Sequence, residues 1–184
     1  MSKRMFVALE LPEACRETLA ALAVGIRGVR WLPAEQLHLT IAFLGEVEAG
    51  VEEPLRARLM GVGVAPFYLS IRGVGTFGGA NPSVIWAGVG SGHPRLFALH
   101  KHIHDALFAA GLNPELRAFH PHITVARAKD VAVAKLRPFL RQHAEDDFCL
   151  VRITGFTLFS STLGPRGARH TPEMHRQFDP ATRS

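Results

Sequence analysis

The chain has 184 residues, 47% of them apolar and 20% charged, with a formal net charge of +5. That length suits one domain built as two lobes and falls short of the ~250 residues a (β/α)8 barrel usually takes, while the apolar share excludes disorder and supplies a core without covalent staples. Residues 1–92 hold 8 Lys/Arg against 8 Asp/Glu and residues 93–184 hold 13 against 8, a bias that suits a polyanionic partner such as nucleic acid, and equally a mildly basic solvated surface.

In chain order, Phe6–Leu9 reads as a short buried strand, and its apolar run stops at Glu10 and Pro12 with no cleavage site behind it, so it is not a signal peptide. Pro12 opens a helix that Gly28 ends, with Leu19, Leu22, Ala23 and Ile26 at helical spacing. Leu37–Leu44 is a predicted strand closed by Gly45; period two sets Leu39, Ile41 and Phe43 on one face and His38, Thr40 and Ala42 on the other. Val51–Met60 is a short helix, and Phe67–Arg72 an alternating strand with one wet face. Val84–Val89 is its neighbour across a Gly-rich turn. Pro94–Ala110 carries the apolar stripe Leu96, Leu99, Ile103 and Leu107 of a helix capped by Gly111. His122–Ala126 is another strand, Val131–His143 a helix interrupted near Pro138, and Leu150–Phe159 a long strand bulged at Gly155.

The uncharged stretch from Gly73 to Pro94 is too rich in glycine to span a membrane. Cys15 and Cys149 form no CxxC pair, which excludes a Cys-based zinc site and fits a reducing, cytoplasmic home. Strands and helices mixed without strict βαβ alternation favour an α+β fold with antiparallel sheets.

Two segments stand out. His38-Leu39-Thr40-Ile41 and His122-Ile123-Thr124-Val125 both read His–apolar–Thr–apolar on a predicted strand, one in each half. Period two puts each imidazole beside its hydroxyl and anchors the apolar pair beneath. One such motif is worthless; two arise by chance in fewer than roughly one chain in a hundred of this composition. Histidine titrates near neutrality, so two of them on opposite sides of one phosphorus could serve an in-line displacement, one taking and one giving a proton. Threonine hydroxyls would hold the non-bridging oxygens, and no metal or other cofactor is required.

These motifs resemble the 2H phosphoesterase superfamily, and within it the bacterial and archaeal RNA 2′,3′-cyclic phosphodiesterases, formerly called 2′-5′ RNA ligases. The resemblance extends over Arg4–Pro12, Val29–Pro33, His38–Gly45, Phe119–Arg127 and Leu158–Leu163. It implies two pseudo-twofold-related lobes, each a small antiparallel sheet with helices outside and the active-site cleft between the sheets. By position it makes His38 the proton donor and His122 the acceptor. Thr40 and Thr124 become phosphate-holding hydroxyls, and Arg127, Phe43 and Phe119 substrate contacts. It implies a cytoplasmic, monomeric enzyme acting on RNA ends or small cyclic nucleotides. The chain departs from the family pattern twice: His170 stands where a Tyr is common, and Ser160 aligns with an Arg. Strict alternation also sets Arg127 opposite His122, so either the strand ends or twists before it or Arg127 supports the fold.

Rival signals are weaker. Gly73-Val74-Gly75-Thr76-Phe77-Gly78 fits GxGxxG, but Gly79 and Pro82 oppose the required helix and no acid occurs before Asp105, so a tight hairpin is expected. His100, His102 and His104 lie on the Pro94–Ala110 helix with Lys101 where a zincin needs Glu, which favours a solvated face. His120 and His122 form an HxH pair that a metallohydrolase could use. A non-catalytic RNA-binding module is the alternative from another class, with Trp31, Tyr68, Trp86 and Phe119 stacking bases.

Overall fold

The computed structural model describes residues 2–114, 117–164 and 167–179. Ten strands and four helices follow in chain order: β1 (Ser2–Glu10), α1 (Glu13–Ala20), β2 (Val29–Trp31), β3 (His38–Glu48), α2 (Ala49–Met60), β4 (Phe67–Arg72), β5 (Val74–Phe77), β6 (Val84–Gly88), α3 (Pro94–Ala109), β7 (His122–Ala128), α4 (Val133–Gln142), β8 (Asp147–Ile153), β9 (Gly155–Gly164) and β10 (Gly167–Gln177). A single 3-10 turn, Ala34–Gln36, precedes β3.

Eight strands form one antiparallel sheet in the order β10-β9-β1-β3-β7-β6-β5, with β2 also on β7; β4 and β8 make a separate ribbon. The two expected sheets are therefore halves of one. The half β10-β9-β1-β3 meets the half built around β7 through the pair Leu39↔Ile123. Helices α2 and α3 pack on each other and against β3. Beneath the sheet, Val7, Leu9, Leu39, Ile85, Ile123 and Leu158 join Leu55, Leu59, Leu99 and Ile103 in one buried core. A second cluster, Phe6, Ala8 and Phe159, is buried on β1 and β9 apart from that core, which is why β1 is covered on both faces.

Several boundaries differ from the sequence reading. Helix α1 stops at Ala20 rather than running to Gly28. The predicted strand Leu150–Phe159 is two strands: β8 ends at Ile153 in the ribbon and β9 begins at Gly155 in the large sheet. Pro138 sits inside an uninterrupted α4. The ribbon partner of β4 is β8, not the strand across the Gly-rich turn. That turn instead contains β5, which pairs with β6 as a hairpin.

The GxGxxG run thus has a packing cause. Gly73 takes φ +67°, and a Cβ on Gly75 would lie 2.2 Å from the Trp86 ring, so only glycine lets that indole lie flat across β5. Cys15 of α1 and Cys149 of β8, 134 residues apart, are joined in a disulfide with Cα atoms 5.7 Å apart. This corrects the reading of two unconnected thiols; α1 packs on β8, and sequence spacing does not report such proximity. Among the described residues no helix is long and apolar enough to cross a membrane.

Candidate active site

The site begins at the joint of the sheet. Leu39 and Ile123 face each other across β3 and β7, and both are fully buried. The antiparallel register set by this pair places His38 opposite Thr124 and Thr40 opposite His122. All four side chains stand on the face away from Leu39 and Ile123, half-buried. The arrangement is a local twofold, and the two histidines are diagonal neighbours with roughly 7–8 Å between their backbone positions. One phosphoryl group fits that interval.

Both strands then break alternation at the same motif position. β1 pairs Val7 with Ala42 and Ala8 with Thr40, leaving Ile41 as the extra residue of a bulge. β6 pairs Ile85 with Ala126 and Trp86 with Thr124, leaving Val125 extra. Consecutive residues Ile41 and Ala42, and likewise Val125 and Ala126, are therefore buried together. Phe43 and Arg127 come round to the histidine face. Phe43, 60% exposed, lies 6.2 Å from the Phe6 ring, which itself stacks on His38 at 5.0 Å. The expected placement of Phe43 with Leu39 and Ile41 is thus corrected, and the awkward phase of Arg127 disappears. Arg127 is exposed, and its charge helps hold the His122 pKa down.

Each imidazole is oriented by the carbonyl two residues before it. His122 Nδ1 donates to the His120 carbonyl at 2.7 Å, which leaves Nε2 unprotonated and free toward the cleft. His38 is hydrogen-bonded to the Gln36 backbone in the same way. Burial, followed by the nearby His170 charge, pushes His38 down to about 4. Burial also lowers His122, opposed by the His120 carbonyl. Both rings are thus held as neutral bases in the empty cleft.

A cavity opens beside each histidine. One, about 130 Å³, lies next to His38 and is lined by Phe6, Leu37, Phe159, Arg16 and His170. The other, about 280 Å³, lies next to His122 among Phe77, Trp86, Phe97 and Phe119. Phe119 stacks on His100 at 4.1 Å, and His100 on His104 at 4.2 Å. These two histidines are consequently half-buried rather than solvated. Of the other aromatic candidates, Trp31 donates its indole N–H to the Val24 carbonyl and packs on Phe139, while Tyr68 is exposed on the separate ribbon.

The two departures from the family pattern have different fates. His170 meets the His38 ring edge-on at 5.2 Å and so enters the site. Ser160 is buried and hydrogen-bonds Glu173, whose carboxylate also binds Arg56 of α2. Sequence reasoning missed Arg16; its place at i+4 from Pro12, on the first turns of α1, carried no signal. Among the described residues no three His, Cys, Asp or Glu side chains gather as a metal site, so the His120–His122 pair has no third ligand there.

The family model of the 2′-5′ RNA ligase superfamily matches residues 11–165. The RNA 2′,3′-cyclic phosphodiesterase of Methanocaldococcus jannaschii is 31% identical over 169 residues, covering 89% of this chain and 94% of that protein. The Escherichia coli protein of the same name is 30% identical over 174 residues, covering 92% and 93%. Among solved structures, E. coli LigT complexed with 3′-AMP superposes with a TM-score of 0.79 at 26% identity, covering 97% of this chain and 99% of that one. TT0787 of Thermus thermophilus also superposes at 0.79, with 27% identity over 95% and 97%.

Proposed function

The chain belongs to the 2′-5′ RNA ligase superfamily, and from that premise we propose that it hydrolyses the 2′,3′-cyclic phosphate at an RNA terminus to a 2′-phosphomonoester. The observation that carries this reading is the Leu39↔Ile123 register, which sets two His–Thr pairs around one point on one face of the sheet. Water attacks the phosphorus as His122 Nε2 takes its proton. The P–O3′ bond breaks, and His38 supplies the proton to the departing ribose oxygen. Thr40 and Thr124, whose hydroxyls have no printed partner inside the protein, donate to the non-bridging oxygens. Arg127 balances their charge. Phe43 and Phe119 flank the bound nucleotide. Each histidine supplies about 10²–10⁴-fold, and none of these steps needs a metal.

The same pair run backwards would join an RNA 5′-hydroxyl in place of water. The cleft beside His122, about 280 Å³, favours this second reading, because a water needs only ~30 Å³. The deciding experiment incubates an RNA ending in 2′,3′-cyclic phosphate with the protein, with and without EDTA, and locates the phosphate on the product. A 2′-phosphate formed equally in both samples is expected. An untouched substrate would leave the RNA-binding module as the better account, and EDTA-sensitive turnover would return His120 and His122 to a metal.

A further inference from the structure

Three buried side-chain polar atoms lack a hydrogen-bond partner among the described residues: Arg16 Nε, His170 Nδ1 and Trp86 Nε1. Two of them, Arg16 Nε and His170 Nδ1, line the one cavity beside His38. A guanidinium turned inward without a carboxylate is costly, and buried donors without acceptors call for a ligand. Both carboxylates of that cavity are otherwise placed. Glu10 accepts the Thr157 hydroxyl at 2.6 Å and lies 3.8 Å from His175, and Glu35 is exposed at the rim. The hydrolysis itself uses neither Arg16 nor His170.

In the reaction proposed above, O3′ departs toward His38, so the leaving ribose lies on this side. From that ribose an RNA strand continues through O5′ to its next phosphate. We infer that the cavity formed by Arg16 and His170 is a subsite for the phosphate 5′ to the terminal ribose, so that the protein selects a phosphorylated or oligonucleotide end over a bare cyclic nucleoside. The inference rests on the proposed hydrolysis and adds to it a substrate class. Arg16 supplies the charge. His170 supplies a ring N–H, and its edge-on packing against Phe6 and His38 fixes the direction of that donor.

Three substrates test it: adenosine 2′,3′-cyclic phosphate, its 5′-phosphorylated form, and a dinucleotide ending in the same cyclic phosphate. Charge-assisted hydrogen bonds of this kind correspond to about tenfold or more in affinity. Both phosphate-bearing substrates should therefore show kcat/KM about tenfold above the first, through KM rather than kcat. The second substrate isolates a terminal monoester, and the third an internal diester. Arg16→Gln should bring the ratio toward one. His170→Phe keeps the ring packing, removes the donor and should do the same. A ratio of one in the unaltered protein overturns the inference with no variant needed. So does a dinucleotide gain that survives replacement of its internal phosphate by a neutral methylphosphonate, which would assign the cavity to the base. Turnover of all three at equal kcat/KM sinks the subsite alone. Turnover of none sinks the hydrolysis, and the subsite with it.

Discussion

At the scale of single residues, the cleft works by holding two imidazoles neutral until an anion arrives. Free energy favours neutral rings there because burial lowers both pKa values, His38 to about 4. The productive form needs His38 protonated and His122 neutral. With both groups below 6.5, the bell of kcat/KM against pH centres below 6.5 as well, since its midpoint is the mean of the two. The phosphate monoanion then restores the proton on His38, so the descending limb of kcat lies at higher pH than that of kcat/KM. Steady-state profiles between pH 4 and 9 measure both, and a kcat/KM centre above 7 contradicts this account. Replacement of either ring tests the same chemistry from the other side: His38→Ala and His122→Ala each lose about 10²–10⁴-fold in kcat, while Thr124→Val loses about 10²–10³-fold if its hydroxyl meets the transition state. Folding is checked for each variant by its melting curve. The identity of these four residues was legible in the sequence because the motif is short, doubled and phased by period two. The phase of Phe43 and Arg127 was not, because a bulge depends on which strand lies alongside.

Elements follow the same division between local and non-local causes. The stripe of α3 and the alternation of β4 are local, and the structure keeps both. The break at Thr154, which sends β8 to the ribbon and β9 to the main sheet, depends on partners distant in sequence. So does the hairpin of β5 and β6, where Gly75 makes room for Trp86. A Gly75→Ala change adds one methyl at 2.2 Å from that ring. Overpacking of this kind typically costs about 1–3 kcal/mol, and Trp86 also lines the cleft beside His122. The expected result is a lower melting temperature together with reduced turnover. A variant as stable and active as the parent would show that Trp86 can move aside freely.

For the molecule as a whole, the cleft is built at the expense of stability, and pH exposes the trade. Five histidines, His38, His100, His104, His122 and His170, all have pKa values lowered by burial. Unfolding returns each to about 6.5, where it binds a proton that the folded state refuses. The unfolded chain therefore binds more protons as pH falls below 6.5. Stability rises with pH across that window and is lost on descent toward the folded pKa values, by up to about 1.4 kcal/mol per pH unit for each fully refused proton. The half-exposed rings contribute less than His38. Glu52 and Glu173 add a second loss only at lower pH. Hydrogen bonds from Arg56 and Ser160 respectively lead in holding their carboxylates below the usual range, so their contribution is present above about 4.5 and fades beneath it. Calorimetry should show the melting temperature falling between pH 7 and pH 5, before any carboxylate titrates. Inorganic phosphate in the cleft should recover the share that belongs to His38 and His122, because an anion between the rings favours their charged forms. The recovery should be absent from the His38→Ala, His122→Ala double variant. A melting temperature that climbs as pH drops from 7 to 5 would mean that these imidazoles are charged in the fold, and the neutral, anion-awaiting cleft would have to be abandoned.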